Sequence, residues 1–540
     1  MSRPNPAVLM GILVATLVLL GGAAVLKGGF YIGKHEGDTL HMMQIVFRMA
    51  EGQVPHRDFM TPIGGLAFAP IALFVKSGMG IGMATLWSQV LMAALFLPAV
   101  WWVAMSRLSP YLAAFFGIVV MVLMLALVHG EAQRSVSISM HYNRWAWGAA
   151  FIAILAALVP PVHPRSALVD GIIIGLMASV MVLIKVTYFA AFALPVVLAL
   201  ILTKQTRALI VALLTGAVAA VAITLWLGPD FWLAYLGDLL TVARSEVRPQ
   251  PGEPLSAVVG APAYLGGSLV AIMGVILLRQ ARADVGGLVL LTLLPGFFYV
   301  TYQNFGNDPQ WTLLLAVLLL ALRPQGEVTN AMGWNMRGAL NICAAMALAL
   351  GAPSFFNLAY SPFRHFNVDV STYAPLLPRG GIHEDLQGAA LRVERVDGRV
   401  ALDAPGMALA AYANAEHRED PPQFMGETFA TCNVELGLPT VFDAISRDLE
   451  EAGLAGGKRI FAADLFSSYW LFGDFEPLVG GAPWYYGGLP GYASADYLLI
   501  PICPVVQDVQ AQVLKAIEAE GTDGLAEIRR TDLYILYSKG

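Results

Sequence analysis

Long uncharged apolar runs recur through the first 350 residues of this chain, and no other feature limits its fold as strongly. The stretch Val8 to Val25, for example, holds no charged residue. Roughly 20 apolar residues at 1.5 Å rise cross the hydrocarbon core of a bilayer. A backbone inside that core must satisfy its own hydrogen bonds, which leaves helices or closed barrels. Barrel strands would show as alternating segments of about 10 residues, whereas these runs are continuous. The chain therefore reads as a polytopic α-helical membrane protein. Its mean hydropathy of +0.65 and its 13% of charged residues agree; soluble domains carry about 25%. A net charge of −6 without a basic tract argues against nucleic acid as a partner.

Eleven spans are expected, at about 7–26, 83–105, 110–129, 145–160, 166–184, 187–203, 208–228, 259–279, 285–302, 311–323 and 336–352. The short segment 63–75, interrupted by Gly64, Gly65 and Pro70, is expected to lie on the membrane surface or dip into it. The first run is too long for a signal-peptide core and is read as a retained span. Lys and Arg in short loops favour the cytoplasm. With the N-terminus inside, Arg3, Arg107, Arg165, Lys204, Arg207, Arg279, Arg282, Arg323 and Arg337 all fall on that side. Loops 27–82, 130–144, 229–257 and 303–310, and a tight turn at Lys185, then face outward. The expected location is the cell inner (plasma) membrane.

Residues 354–540 change character, with frequent charges and turn residues and no long apolar run. They are long enough for a core of their own, and under the same topology they are extracytoplasmic. Arg459 to Ala463 and Tyr497 to Pro501 read as buried strands. Val506 to Ala519 reads as a helix stopping near Gly521, and 526–530 with 533–537 as a closing strand pair. The expectation is a mixed α/β domain at 354–540 behind a membrane module at 1–353. Cys432 and Cys503 fall in this domain, where an oxidising compartment would permit a disulfide. The loop PWYYGGLPGY, Pro483 to Tyr492, would pack over the domain, sit at the membrane interface or stack on a sugar.

The hydrophilic stretch from Gly33 to Pro62 follows the first span directly. Leu40, Met43, Phe47 and Ala50 recur at near-helical spacing, so 39–51 is expected to be an amphipathic helix with Asp38 near its start. There a carboxylate caps the helix and is held ionised by the dipole. It is equally placed to act as a general base. Downstream come Gly52, Pro55, Asp58, Phe59 and Pro62 in GQVPHRDFMTP.

An acid soon after the first span, an amphipathic helix, this Gly-Pro-Asp-Phe stretch and a proline-containing apolar segment together resemble the GT-C fold membrane glycosyltransferases. These include the dolichyl-phosphate-mannose-protein mannosyltransferase and aminoarabinose transferase-like superfamily. The resemblance covers residues 1–350 in architecture and is specific around 33–65. It implies an inverting glycosyltransferase that uses a polyprenyl-phosphate-linked sugar donor on the outer face, with a glycan, lipid or protein acceptor. It implies Asp38 as catalytic base. Related enzymes often carry two adjacent acids, whereas this chain has Glu36-Gly37-Asp38, so both carboxylates are candidates.

Further candidates lie in the other outward loops. In 130–144, Glu131, Arg134, His141, Tyr142, Asn143 and Arg144 precede a span beginning at Trp145; the guanidiniums and the imidazole suit a lipid phosphate, or serve as interfacial anchors. Lys185 stands alone in the apolar VLIKVTYF, where a lysine at membrane depth pairs with a functional anion or snorkels to the surface. Gln303, Asn304, Asn307 and Asp308 form a polar run suited to sugar hydroxyls, or simply a turn around Gly306 and Pro309. Asp308 with Asp38 or Glu36 would suit a divalent ion, but no cofactor or metal is assigned. Two other classes fit the same composition: a transporter or flippase of a lipid-linked or small substrate, and a non-catalytic membrane assembly subunit.

Overall fold

The structure, a computed structural model, describes residues 3–129, 133–162, 166–247, 254–303, 308–403, 407–412, 421–429 and 431–540. The N-terminal two-thirds is helical. It begins with α1 (Pro6–Val25), a short strand β1 (Phe30–Ile32), α2 (Glu36–Ala50) and α3 (Ala69–Lys76). The bundle continues with α4 (Ile81–Arg107), α5 (Pro110–Leu125), α6 (His141–Leu158), α7 (Ala167–Ile184), α8 (Val186–Leu202) and α9 (Thr206–Leu227). It closes with α10 (Asp230–Ala243), α11 (Leu255–Gly260), α12 (Pro262–Gln280), α13 (Asp284–Gln303), α14 (Trp311–Leu322) and α15 (Met336–Phe366).

Among the described residues seven helices are long and apolar enough to cross a membrane: α1, α4, α7, α9, α12, α13 and α15. All eleven expected runs are helical, but fewer than eleven have that length. α5, α8 and α14 are shorter apolar helices, and α6 opens with the polar turn His141 to Arg144. Burial explains why these can differ. Almost every side chain of α6 and most of α14 is buried by neighbouring helices, so they line the interior of the bundle. α9, by contrast, buries little beyond Ala208 and Ala212. The segment 63–75 folds as a turn followed by the short α3, as its Gly and Pro content predicts.

α5 stops at Leu125, four residues short of the expected 129, and the chain turns inside the bundle. Several of its freed backbone groups find partners elsewhere in the chain, as a water-poor interior favours. Leu127 N–H donates to Ser361 Oγ at 2.8 Å, and Leu127 O accepts from Ser137 N–H at 2.8 Å. Arg144 supplies the rest: its guanidinium donates to Val128 O, to His129 O at 3.3 Å and to Ala126 O at 3.0 Å. At the other tight turn, Lys185 is an extended residue between α7 and α8. Gly64 packs on this break and donates to Ile184 O at 3.0 Å. A Cβ on Gly64 would lie 2.0 Å from Leu183 O, so only glycine fits there.

The expected boundary at 353 falls inside α15, which runs on to Phe366. The globular part follows, with β2 (Tyr373–Pro375), β3 (Leu386–Ala389), α16 (Ala390–Val393), β4 (Asp397–Val400), β5 (Gln423–Phe424), β6 (Glu427–Thr428), β7 (Cys432–Leu436) and α17 (Leu438–Glu451). It ends with β8 (Ile460–Ala462), β9 (Tyr497–Pro501), α18 (Gln507–Glu520), β10 (Leu525–Arg530) and β11 (Tyr534–Lys539). The main sheet has the order β10-β11-β9-β8, with β8 and β9 parallel and the other pairs antiparallel. Cys432 and Cys503 are disulfide-bonded, with Cα atoms 4.9 Å apart.

This region is tied into the helical part. β1, from the first loop, pairs in parallel with β3 in the sheet β1-β3-β2. Asp385 caps α4, accepting from Gly82 N–H at 2.9 Å and Met83 N–H at 2.7 Å. A carboxylate at a helix N-terminus satisfies orphan donors and complements the dipole.

Candidate functional site

The first loop is built around α2. His35 precedes it in a left-handed conformation (φ 70°), and its carbonyl receives Thr39 N–H at 3.1 Å. Asp38 in the first turn faces inward, and its Oδ2 accepts from Ser139 Oγ at 2.5 Å. His41 and Met42, three and four residues on, share that face. All three line a cavity of about 370 Å³, within the 300–1,000 Å³ typical of ligand sites.

The cavity is assembled from distant parts of the chain. Ser139, His141 and Tyr142 come from the segment leading into α6; Lys185, Val186 and Thr187 from the α7–α8 break; Tyr299 and Gln303 from α13. Leu239, Val242 and Ala243 of α10 add an apolar wall, and Tyr486 enters from the globular region. Lys185 Nζ donates to Asn143 Oδ1 at 3.1 Å and lies 5.5 Å from the Tyr142 ring centroid. His141 is fixed through Nε2 on Ala67 O at 2.9 Å. Gln303 Oε1 is buried and has no hydrogen-bond partner among the described residues, leaving an acceptor for a ligand hydroxyl. Anionic and cationic side chains, hydroxyls and an apolar wall thus share one cavity.

α10 is held over this space by the first loop. His56 Nδ1 and Asp238 Oδ2 are 2.9 Å apart, Thr61 N–H donates to the same oxygen at 3.1 Å, and the His56 ring stacks on Tyr235 at 4.2 Å. Loop 229–257, read from the sequence as an outward loop, therefore contributes a helix to the cavity wall.

The expected site residues separate into two sets. Asp38, His141, Tyr142, Lys185 and Gln303 meet at the cavity, with Asn143 one bond behind Lys185. Others do not. Glu36 is buried in a two-point ion pair with Arg392 of the globular region, with Arg392 Nη2 3.0 Å from Oε2, and is not among the residues lining the cavity. Asp58 closes its own turn on Val54 N–H at 2.6 Å and pairs with Arg57, outside the cavity lining. Arg144 is buried on backbone carbonyls, and Arg134 is exposed away from the lining; neither guanidinium faces the cavity. Asp308 lies in the turn before α14, its carbonyl accepting from Gln310 N–H at 2.7 Å, and is not among the lining residues. Glu131, Asn304 and Asn307 lie outside the described residues.

Five polar lining residues were not among the expected site residues: His41, Ser139, Thr187, Tyr299 and Tyr486. His41 had a signal, since it follows Asp38 by three on an amphipathic helix, and Tyr299 precedes Gln303 by four on α13. Ser139 and Thr187 had none, because only the fold brings them to the cavity, while Tyr486 lies in the aromatic loop Pro483 to Tyr492, for which sugar stacking is one reading. Among the described residues no group of three His, Cys, Asp or Glu side chains is arranged to hold a metal ion. Comparison with protein-family models, with curated proteins and with solved structures returns no match to this chain.

Proposed function

We propose that this chain is a GT-C-like membrane glycosyltransferase. It moves a sugar from a polyprenyl-phosphate carrier to a hydroxyl of a glycan, lipid or protein acceptor on the outer face of the plasma membrane. The observation that carries the reading is the placement of Asp38 and Lys185 on one cavity with an apolar wall. A glycosyl phosphate already holds a good leaving group, so the site needs a base for the acceptor and a cation for the departing phosphate. Asp38 takes the acceptor proton while the acceptor oxygen attacks the sugar C1 from the face opposite the phosphate. The C1–O bond breaks, its electron pair leaves with the polyprenyl phosphate, and Lys185 balances that charge. The anomeric configuration inverts. Ser139 Oγ orients the carboxylate, and Leu239, Val242 and Ala243 offer a surface for the first isoprenes of the carrier.

The disulfide Cys432–Cys503 supports the outward placement of the globular region, since such bonds persist in oxidising compartments. Glu36 and its partner Arg392 fix the start of α2 and so the aim of Asp38. The test is sugar transfer from a lipid-linked donor by membranes carrying Asp38→Asn. Loss of at least about 100-fold is expected, with insertion and expression unchanged. Full transfer by that variant removes Asp38 as base, and substrate uptake or lipid flipping at the wild-type rate would favour a transporter.

A further inference from the structure

Tyr486 belongs to the globular region, yet it is only 4% exposed and lines the same cavity as Asp38. Its loop is held in the frame of α2. Gln44 Nε2 donates to Pro483 O at 3.0 Å and to Ser468 Oγ at 2.8 Å. Trp484 meets His41 with ring centroids 5.4 Å apart and Phe466 edge-on at 5.1 Å. Tyr485 N–H donates to Leu465 O at 3.0 Å. Asp38, His41 and Gln44 follow one another at three-residue steps along α2. The first two reach the cavity and the third grips the loop that delivers Tyr486. Base and tyrosine are therefore positioned by a single helix.

A tyrosine offers a flat apolar face and one hydroxyl at its rim. A pyranose offers a C–H face bordered by hydroxyls, and the two surfaces match. The α10 wall has no polar side chain among Leu239, Val242 and Ala243 and suits the isoprenoid, so discrimination of the sugar falls to the polar side of the cavity. We propose that Tyr486 is a specificity-determining residue that packs its ring on the donor sugar, so that the globular region forms part of the substrate site. This rests on the transferase reading above.

The test is equilibrium binding to the full-length protein in detergent. The probes are bare undecaprenyl phosphate and its glucosyl, mannosyl and arabinosyl esters, each measured with wild type, Tyr486→Ala and Tyr486→Phe. In wild type at least one glycosylated lipid binds more tightly than the bare phosphate. Tyr486→Ala loses about five- to tenfold of that preference, with bare-phosphate affinity changed less than about twofold. Tyr486→Phe keeps the preference because the ring is retained. Tyr485→Ala is the control for loop damage: Tyr485 is buried beside Tyr486 but outside the cavity lining, so it lowers the melting temperature without changing the preference. Equal weakening of all four lipids by Tyr486→Ala, or no change in any, overturns the role of Tyr486 and leaves the transferase reading standing. Failure of wild type to bind any of the four overturns both.

Discussion

A charged residue in the sequence says little about whether its charge is available. Arg144 and Lys185 look alike as cations near apolar runs, yet Arg144 is committed to the carbonyls that the early end of α5 leaves bare, while Lys185 reaches the cavity. Asp464 shows the same principle in the globular region. It accepts from Val505, Leu465 and Val506 N–H, but burial outweighs those donors and pushes its carboxyl up to about 7. An unfolded Asp titrates near about 3.9. Between these values the folded chain keeps a proton that the unfolded chain has lost, so stability falls as pH rises from about 4 to about 7 and is level above. The thermal midpoint in detergent is expected to be roughly a few degrees lower at pH 7.5 than at pH 5. Asp464→Asn should flatten that difference, and an unchanged slope in the variant would exclude Asp464 as its source.

At the scale of elements, α2 carries the candidate chemistry because both of its ends and one face are anchored. The Glu36–Arg392 pair fixes its first turn. Arg48 near its end donates to Leu478 O at 3.0 Å, and the Arg48 guanidinium lies over Phe59 and Trp470. The ion pair acts as a clamp. Under the proposed transferase function, Glu36→Gln and Arg392→Ala are each expected to lower sugar transfer by roughly tenfold, since a misplacement of about 1 Å in the proposed base is costly. The double variant should be no worse than the worse single one, as groups acting through one contact are non-additive. Fully additive losses in kcat would show two independent roles. Much of this element was legible: the spacing of Leu40, Met43 and Phe47 marks the amphipathic helix, and Asp38 lies near its start, but inside its first turn and bonded to Ser139 rather than capping it as expected. The clamp was not, because Arg392 lies in a part of the chain with no local link to Glu36.

Over the whole molecule, the helical part and the globular region act as one structure. β1 completes the sheet with β3, Asp385 caps α4, and Tyr486 reaches the cavity. The Cys432–Cys503 bond closes a span of 71 residues within this region, and removing such a bond typically costs about 2–4 kcal/mol. The double variant C432S/C503S should melt at a lower temperature and, under the proposed transferase function, also lose sugar transfer, because the cavity wall depends on the region it staples. Unaltered transfer at a temperature where the globular region has melted would show that region to be dispensable.

Local sequence determined what depends on neighbouring residues. Apolar runs dictate helices fit for a bilayer, since an unpaired backbone in hydrocarbon is prohibitive. Short apolar runs bounded by turn residues mark β9 (Tyr497–Pro501) and the β10–β11 pair, and helical spacing marks α18. The tertiary structure alone decided which polar groups remain available. Glu36, Asp58 and Arg144 are drawn into ion pairs and backbone contacts, while Ser139, His41 and Tyr486 are carried to Asp38. A buried charge takes whichever partner the fold puts within reach, and that partner is set by contacts between segments hundreds of residues apart.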